Sequence, residues 1–268
     1  MEETRKNNLI LDYKNGMSNK DIKKKYKIST DTFYTWIKNE DKKQFKNLNK
    51  FKDLTNKELQ YWLGFICADG GVVYNEKNKI FCITLTSKDE EVVRNFKYFF
   101  GDIVKIYYTE HTKIWNAKIY SKKLALYFIN NLNIVPKKAL ILNPNIEFTS
   151  NFLLGFFDGD GCIVNSTIKR VRYESKFTSG SLLFIKKIKL ILDSKGIFSK
   201  ISQKENAFDL SINRKLDSEK LYHFLYQNYT YCLSRKLNNF VALFGNIEKK
   251  ELGELLEFNG ESAAKLSE

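Results

Sequence analysis

The first forty residues carry apolar side chains three and four positions apart, the spacing of short amphipathic helices. The positions that would share one core are Ile10, Ile22, Tyr26, Ile28, Phe33, Trp36 and Ile37. We therefore expect three helices, at residues 8–14, 19–26 and 29–38, the last with Ser29 or Thr30 as its N-cap. Residues 41–54 are rich in lysine, which predicts a basic linker able to follow phosphate.

From residue 55 to about residue 244 the pattern of elements occurs twice. The first copy predicts a helix at 55–68, strands at 71–74 and 79–86, a helix at 88–100, strands at 103–109 and 114–120, and a helix at 122–132. The second predicts the same order at 150–159, 162–165, 172–179, 182–194, 197–203 and 208–213, followed by helices at 218–226 and 234–243. Asp69 and Asp160 are 91 positions apart, and Ser87 and Ser179 are 92 apart. The offset between the two copies is therefore nearly the same at both landmarks, as expected of an internal repeat. The sequence therefore predicts a duplicated α+β domain.

A nine-residue motif occurs at the same place in each copy. WLGFICADG covers residues 62–70, LLGFFDGDG covers residues 153–161, and the two align position by position. Two helix backbones can approach closely where small residues lie four positions apart on one face, as they do at Gly64, Ala68, Gly155 and Gly159. Thr55 with Glu58 predicts a capping box that starts the first motif helix.

Each motif ends in an aspartate followed by a glycine, at Asp69–Gly70 and Asp160–Gly161. The glycine predicts a left-handed turn that closes the helix. A carboxylate at the negative pole of a helix is disfavoured by about 0.3–1 kcal/mol, and two carboxylates about 6 Å apart repel by roughly 3 kcal/mol at an effective dielectric near 20. A divalent cation between them would reverse both effects, and hard oxygen ligands suit Mg²⁺.

Charge and residue content narrow the chemistry. Lysine and arginine outnumber acidic residues 45 to 31, which gives a net charge of +14 and favours a polyanionic partner such as nucleic acid. The four cysteines form no C-x-x-C pair and the two histidines, His111 and His223, are far apart. A zinc ribbon, a disulfide framework and a histidine-metal nuclease are therefore disfavoured. Without an apolar signal or a membrane-length apolar run, we expect a cytoplasmic protein, or one of an organellar matrix or nucleoid, and not a secreted one.

The paired motifs resemble those of the LAGLIDADG homing endonucleases, in the single-chain form that carries two motifs. The resemblance extends from about residue 55 to residue 244 and rests on the two segments quoted above. It implies a pseudo-two-fold αββαββα fold with antiparallel DNA-binding sheets and halves at 55–145 and 146–245. The composition after them changes to acidic and small residues, which predicts an acidic tail at 246–268. The halves differ at the motif's first aspartate, which is Cys67 in one and Asp158 in the other, a position that the family does not need for metal.

The resemblance also implies the residues of an active site. Those that would hold Mg²⁺ or Mn²⁺ are the carboxylates of Asp69 and Asp160 and the backbone carbonyls of Gly70 and Gly161. Ca²⁺ is expected to support DNA binding without cleavage. The family has one lysine per half near the metal-bound water, and the matching positions are Lys138, with Lys137 as the alternative, and Lys236. Such lysines would polarise the attacking water or stabilise charge on the phosphate.

In the family the strands of both halves form a saddle that lies in the major groove. The alternation of the predicted strands fits that layout, since apolar positions such as Ile83, Ala117 and Leu210 fall on one face. The opposite face would touch base edges and phosphate. Its residues are Thr84, Lys105, Tyr107, Asn116, Lys118, Arg172, Lys176, Lys200, Ser202, Lys204, Ser211 and Asn213.

The N-terminal helices, residues 1–40, resemble a helix-turn-helix of the resolvase and transposase kind, whose last helix would present Thr30, Thr32 and Tyr34 to DNA. The sequence thus predicts a monomeric homing endonuclease of a mobile element that makes a metal-dependent double-strand break in a long, asymmetric duplex. Two alternatives stay open: an intron RNA maturase on the same scaffold, and a helix-turn-helix regulator that binds DNA without cutting it. A transposase or resolvase is disfavoured because neither a serine-nucleophile motif nor a three-acid set is recognisable.

Overall fold

The computed structural model describes residues 2–14, 17, 19–44, 50–164 and 173–245. This part of the chain has two separate hydrophobic cores, a small one in the N-terminal helices and a large one in the duplicated region. None of its helices combines the length and the apolar character that crossing a bilayer requires. The acidic tail predicted at 246–268 lies outside the described residues.

Three helices build the smaller core, and their bounds are Glu2–Lys14 (α1), Asn19–Tyr26 (α2) and Thr30–Gln44 (α3). The predicted core is confirmed, with Leu9 as a further member that the pattern missed. The Ser29 side-chain oxygen accepts a hydrogen bond from the Thr32 amide at 3.1 Å. Ser29 rather than Thr30 is therefore the N-cap of α3.

The basic linker is shorter than the lysine-rich composition suggests. Helix α3 continues to Gln44, and Phe51 is fully buried in the larger core, where its ring stacks on Phe100 with centroids 4.3 Å apart. Beside it, Lys50 donates a hydrogen bond to the carbonyl oxygen of Phe99 at 2.6 Å. The prediction of a linker over 41–54 is therefore wrong at both ends, because helix continuation and one buried aromatic ring outweigh the surrounding lysines.

Each half of the larger domain has the predicted order of elements. The first contains α4 (Lys57–Asp69), β1 (Gly70–Asn75), β2 (Ile80–Ser87), α5 (Glu90–Phe100), β3 (Val104–Thr109), β4 (Ile114–Tyr120) and α6 (Lys122–Asn130). The second contains α7 (Ser150–Asp160), β5 (Gly161–Val164), β6 (Glu174–Ser179), α8 (Leu182–Ser194), β7 (Lys200–Gln203), β8 (Phe208–Ile212), α9 (Lys215–Tyr226) and α10 (Ser234–Phe244). The strands form two antiparallel sheets of equivalent order, β1-β2-β4-β3 and β5-β6-β8-β7. The duplicated α+β fold is confirmed.

The motif helices α4 and α7 pack against each other backbone to backbone. A Cβ atom placed on Gly64 would lie 1.9 Å from the carbonyl oxygen of Phe152, and one placed on Gly155 would lie 1.9 Å from that of Tyr61. No side chain fits at either position unless the helices separate. The close approach that the small residues predicted is therefore confirmed, and it joins the two halves at their centre.

The start of α4 differs from the prediction. Its N-cap is Asn56, whose side-chain oxygen accepts a hydrogen bond from the Leu59 amide at 2.9 Å. Thr55 instead donates from its amide and its hydroxyl to Asp53, at 3.2 and 2.6 Å. The predicted capping box is therefore wrong, because Thr55 is engaged in a local turn one residue before the helix cap.

The glycine after each aspartate serves a different purpose from the one predicted. Gly70 has φ −114° and Gly161 has φ −85°, so neither adopts a left-handed conformation and that prediction is wrong. A Cβ atom on Gly70 would lie 2.7 Å from the carbonyl oxygen of Thr84, and one on Gly161 would lie 2.4 Å from that of Phe157. Glycine is needed for space, since each helix passes directly into the first strand of its sheet.

Replacing Gly64 with alanine should lower the free energy of unfolding by about 3 kcal/mol, because the added methyl group would overlap the Phe152 carbonyl. Gly71→Ala is the matched control, since a Cβ atom there meets nothing within 4 Å. The control should change the free energy of unfolding by no more than about 0.5 kcal/mol. Urea unfolding followed by tryptophan fluorescence measures both, and equal stabilities for the two variants would contradict the packing argument.

Candidate active site and nucleic-acid interface

The two motif aspartates meet where the motif helices end. Asp69 is the last residue of α4 and Asp160 the last of α7, and both are solvent-exposed. A Cβ atom placed on Gly159 would lie 2.4 Å from Cβ of Ala68 and 3.5 Å from Oδ2 of Asp69. The Asp69 carboxylate therefore lies against the helical turn that carries Asp160, and each half contributes one acidic side chain to the same place.

One lysine from each half lies at the C-terminal end of its own motif helix. Lys138 Nζ donates to the carbonyl oxygens of Gly70 at 2.8 Å and Ala68 at 3.3 Å. Lys236 Nζ donates at 2.5, 2.7 and 2.6 Å to the carbonyl oxygens of Phe157, Asp158 and Gly161. Lys137 is exposed and has a left-handed backbone, φ 56°, so the geometry selects Lys138 of the two. Each ammonium group offsets the partial negative charge of a helix end.

The backbone oxygens of Gly70 and Gly161, which were predicted to bind metal, already accept hydrogen bonds from these lysines. A carbonyl oxygen has two lone pairs and can accept a second partner. Metal binding by these two oxygens therefore stays a prediction, in which the metal ion would compete with a lysine ammonium group for each oxygen. Within the described residues, no hydrogen bond or ion pair engages the carboxylate of Asp69 or Asp160. Their oxygens are therefore the more accessible ligands.

The surroundings of the two aspartates and the two lysines disfavour the charged form of each side chain. Partial desolvation raises the pKa of both carboxyls, and repulsion by Asp69 helps to raise the pKa of Asp160 to about 6. Burial lowers the pKa of Lys138, and it lowers the pKa of Lys236 to about 8. Perturbed acids and bases gathered in one place are typical of functional sites.

The donor set fits a hard divalent cation. The two carboxylates repel each other, a cation between them would remove that repulsion, and carboxylate oxygen is the ligand that Mg²⁺, Mn²⁺ and Ca²⁺ prefer. Where the structure describes the chain, no three histidine, cysteine or acidic side chains are grouped so that they could hold a metal ion. A cation at Asp69 and Asp160 would therefore complete its coordination with other oxygens, such as those of water or phosphate.

Asp158 is a buried acid to which the sequence assigned no role. It is 1% exposed, and its Oδ2 accepts hydrogen bonds from Tyr61 Oη at 2.9 Å and from the Leu233 amide at 2.7 Å. Burial raises the pKa of Asp158 to about 7. Its counterpart Cys67 is also buried, and burial raises the pKa of that thiol to about 12. The available signal was an acidic residue within the otherwise apolar face of α7.

Most of the predicted DNA-binding residues lie in cross-strand rows on the outer faces of the sheets. On the first sheet one row contains Thr84, Lys118 and Lys105, and the next contains Asn116 and Tyr107. On the second sheet the corresponding row contains Lys176, Ser211 and Lys200, and Ser202 lies in the next row. The opposite faces pack on the helices, where Ile83, Ala117 and Leu210 are fully buried. The predicted division of each sheet into an apolar and a polar face is confirmed.

The outer faces of the two sheets differ in charge. Glu174 forms an ion pair with Lys176 at 2.7 Å, and Asp209 forms one with Lys204 at 2.7 Å. Two of the lysines predicted to bind DNA are therefore already neutralised by neighbours. No such pair involves the predicted lysines of the first sheet within the residues described. Alternation along β6 already places Glu174 and Lys176 on one face. The pair of Lys204 with Asp209 could not be seen in the alternation, because it depends on the turn between β7 and β8.

The remaining predicted contacts fall into three groups. Arg172 lies outside the described residues. Asn213 is exposed immediately after β8. On α3, Thr30 and Tyr34 are exposed, whereas Thr32 is half-buried and its hydroxyl takes part in the N-cap of the helix. Two of the three residues predicted to contact DNA from α3 are therefore exposed, and one of them, Thr30, accepts a hydrogen bond from Lys23 Nζ at 3.2 Å.

Both halves of the sequence match one protein family. The family is described as "LAGLIDADG-like domain", and the matched residues are 56–133 and 147–227. These ranges cover more than half of the chain and include both motif helices and all eight strands. Lys138 and Lys236 lie outside them, so the placement of these lysines comes from the geometry alone.

The chain is also similar to a curated protein and to solved structures. An uncharacterized protein of Methanocaldococcus jannaschii is 28% identical over 212 residues, which is 73% of this chain and 75% of that protein. The LAGLIDADG meganuclease I-AabMI, solved bound to uncleaved DNA, has a TM-score of 0.51 and 14% identity and covers 76% of this chain and 98% of that chain. A mutant of I-SmaMI has a TM-score of 0.51 and 16% identity, with 77% and 98% covered. At these identities the structural likeness establishes the fold.

Replacing Asp160 with asparagine should stabilise the metal-free protein at neutral pH. Because the pKa of Asp160 is raised to about 6 from an ordinary 3.8, ionisation destabilises the folded state. This penalty is absent below about pH 4 and complete above about pH 6. In EDTA at pH 7.5 the variant should gain about 1 kcal/mol in its free energy of unfolding, a modest amount because the carboxyl is exposed.

The gain should vanish near pH 4, where Asp160 is protonated in both states. Thermal unfolding at the two pH values measures it. Asp102→Asn, at another exposed acid, should have no effect at either pH. If Asp160→Asn is less stable than the wild type in EDTA at pH 7.5, the carboxylates are not in conflict as described.

Proposed function

The chain belongs to the LAGLIDADG-like domain family, and from that premise we propose that it is a site-specific DNA endonuclease that cuts both strands of a long, asymmetric duplex. The observation that carries the proposal is the convergence of Asp69 and Asp160, one from each half, at the ends of two helices packed backbone to backbone. A fold selected for stability alone would not gather two carboxylates whose pKa values are raised by their surroundings.

Asp69 and Asp160 would hold Mg²⁺ or Mn²⁺ through their carboxylate oxygens. When bound, such a metal supplies Lewis acidity that activates water and stabilises the leaving oxygen of the phosphodiester. The contribution of the chain is to fix the two acids on rigid helix ends, where no described residue forms a competing hydrogen bond with their oxygens. Ca²⁺ would satisfy the same oxygens and support binding without cleavage.

Lys138 and Lys236 would act next to the carboxylates. The charge of Asp69 is felt by both lysines, since it raises the pKa of each against the effect of burial. A protonated lysine there stabilises the negative charge that develops on the phosphate. Because the pKa of Lys236 lies at about 8, part of its population is neutral in mildly alkaline solution and can polarise the attacking water.

The outer faces of the sheets would bind the duplex in its major groove. Lysines and polar side chains arranged in cross-strand rows suit phosphate and base edges respectively. The ion pairs on the second sheet make the two faces unlike, which supports a target whose two halves differ in sequence. Since both faces belong to one chain, a monomer suffices.

The N-terminal helices would lengthen the recognised site. They have a core of their own, and α3 presents Thr30 and Tyr34 at an exposed surface near its N-terminus, the end from which a recognition helix contacts base edges. The proposal favours cleavage over an RNA maturase or a non-cutting regulator, because neither of those functions requires two carboxylates held in an electrostatically unfavourable place.

Changing either Asp69 or Asp160 to asparagine should slow Mg²⁺-dependent cleavage by on the order of 10³-fold, because the variant loses a metal ligand. The substrate is a duplex recovered with the wild-type protein by cleavage selection from a randomised DNA library. Gel-shift affinity for that duplex in Ca²⁺ should stay nearly the same, and Asp102→Asn should cut at the wild-type rate. Retained cleavage by either aspartate variant would refute the assignment.

Deleting residues 1–45 should weaken binding to the selected duplex by about tenfold or more and shorten the nuclease footprint, because the deletion removes the basic helix-turn-helix. The deletion keeps Phe51, so the larger core stays complete. Circular dichroism of the truncated chain verifies that the core still folds. Unchanged affinity and an unchanged footprint would reject a role in DNA binding for these helices.

A further inference from the structure

We propose that Asp158 is a positioning residue for Lys236, and that cleavage of only one of the two DNA strands depends on it. The inference rests on the proposed function. The two halves differ at this position, because α4 has Cys67 where α7 has Asp158. The aligned motifs differ at four of nine positions, and this is the one at which an ionisable carboxyl group in one half stands opposite a thiol in the other.

Two hydrogen bonds join Asp158 to the first turn of α10. The carboxylate Oδ2 accepts a hydrogen bond at 2.7 Å from the amide of Leu233, which is the N-cap residue of α10. Three residues later, Lys236 Nζ donates to the backbone carbonyl oxygen of Asp158 at 2.7 Å. Asp158 thus holds both the start of the helix that bears the lysine and the lysine amine itself.

The side chains that make these two hydrogen bonds are shielded from solvent. Asp158 is 1% exposed and Lys236 is 4% exposed, so bulk water cannot take over either hydrogen bond when one partner is removed. A buried donor or acceptor that loses its partner is costly, and the local backbone is expected to shift rather than leave the Leu233 amide unpaired. The position of the ammonium group therefore depends on the carboxylate.

The Asp158 carboxylate also ties α10 to the first half of the chain. Its Oδ2 accepts a second hydrogen bond, at 2.9 Å, from the hydroxyl of Tyr61 on α4. The ring of Tyr231, just before α10, packs on Tyr61 with centroids 5.9 Å apart. Glu91 on α5 accepts hydrogen bonds from the amide and hydroxyl of Ser234 at 3.4 and 3.3 Å. The helix that carries Lys236 is therefore placed by both halves.

The first half has no equivalent arrangement. The thiol of Cys67 makes no hydrogen bond within the described residues, and Lys138 begins a single 3₁₀ turn, Lys138–Leu140. Lys138 Nζ donates to two carbonyl oxygens, at 2.8 and 3.3 Å, whereas Lys236 Nζ donates to three and lies 3.4 Å from a fourth, that of Gly159. Lys138 is held by its own turn, and none of its contacts involves Asp158.

Loss of the Asp158 carboxylate therefore acts on one lysine. Without it, the Leu233 amide and the Tyr61 hydroxyl lose a shared acceptor, and the first turn of α10 is free to move. A displacement of about 1 Å at a reacting group can cost on the order of a hundredfold in rate. The strand cleaved with the help of Lys138 keeps its geometry, so the two strands should be cut at different rates.

The test measures the cleavage of each strand separately. The duplex obtained by cleavage selection carries a different fluorescent dye on each strand, and single-turnover rates are recorded in Mg²⁺. Lys236→Met and Lys138→Met identify the strand that each lysine serves. Asp158→Cys, which copies the residue of the other half, should slow the Lys236 strand by about tenfold or more and the other strand by less than about twofold, so that nicked duplex accumulates.

Asp158→Asn is the second variant, because its amide oxygen can still accept from Leu233 and Tyr61. It should slow the same strand, but less than Asp158→Cys does, and it decides the question alone if Asp158→Cys does not fold. Cys67→Ala is the matched control and should leave both rates within about twofold of the wild type. Thermal unfolding of every variant verifies that strand bias is not a consequence of lost folded protein.

Slowing of the Lys236 strand alone supports the inference. Equal slowing of both strands by the Asp158 variants, slowing of the Lys138 strand, or lysine variants without strand bias would overturn it and leave the proposed function intact. A wild-type chain from which the selection recovers no cleaved duplex would instead remove the proposed function itself.

Discussion

The contact between the backbones of α4 and α7 is the constraint on which the rest of the structure depends. At Gly64 and Gly155 the backbone of each helix lies directly against a carbonyl group of the other. The distance between the helix axes is therefore set by the main chain and not by adjustable side chains. Each helix then runs without a loop into the first strand of its own sheet. One steric requirement therefore fixes both the separation of the two carboxylates and the placement of the sheets beside them.

The C-terminal ends of these helices bring two carboxyl groups and two ammonium groups together, an arrangement that lowers stability. Asp69 and Asp160 stand at negative helix poles, where each would be unfavourable alone. Lys138 and Lys236 offset those poles by donating to carbonyl groups in the last turn of each helix, but the two acids and the two lysines retain shifted pKa values. A bound cation would relieve this residual repulsion, and under the proposed function the protein would trade stability for activity.

The order of elements, the duplication and the apolar sheet faces could be predicted because helix and strand periodicities are local properties of the sequence. Other features depend on residues far along the chain. Residue 70 must be glycine because the carbonyl oxygen of Thr84, on a neighbouring strand, leaves no room for a Cβ atom. The ring of Phe51 stacks on a residue of α5. Lys138, and not Lys137, reaches the carbonyl groups where α4 ends. The buried contacts of Asp158 join three elements that no pattern within α7 could reveal.

The ion pairs on the second sheet have a consequence for the response to ionic strength. Lys176 and Lys204 already have carboxylate partners, so a phosphate that binds there exchanges one anion for another and releases few condensed counterions. Lys105 and Lys118 have no such partners among the described residues, and each phosphate that they neutralise releases counterions to solution. On the second sheet Lys200 is the one predicted lysine without a carboxylate partner among the described residues. DNA binding by the first sheet would therefore weaken more steeply with added salt than binding by the second, and the complex would begin to dissociate at the first sheet.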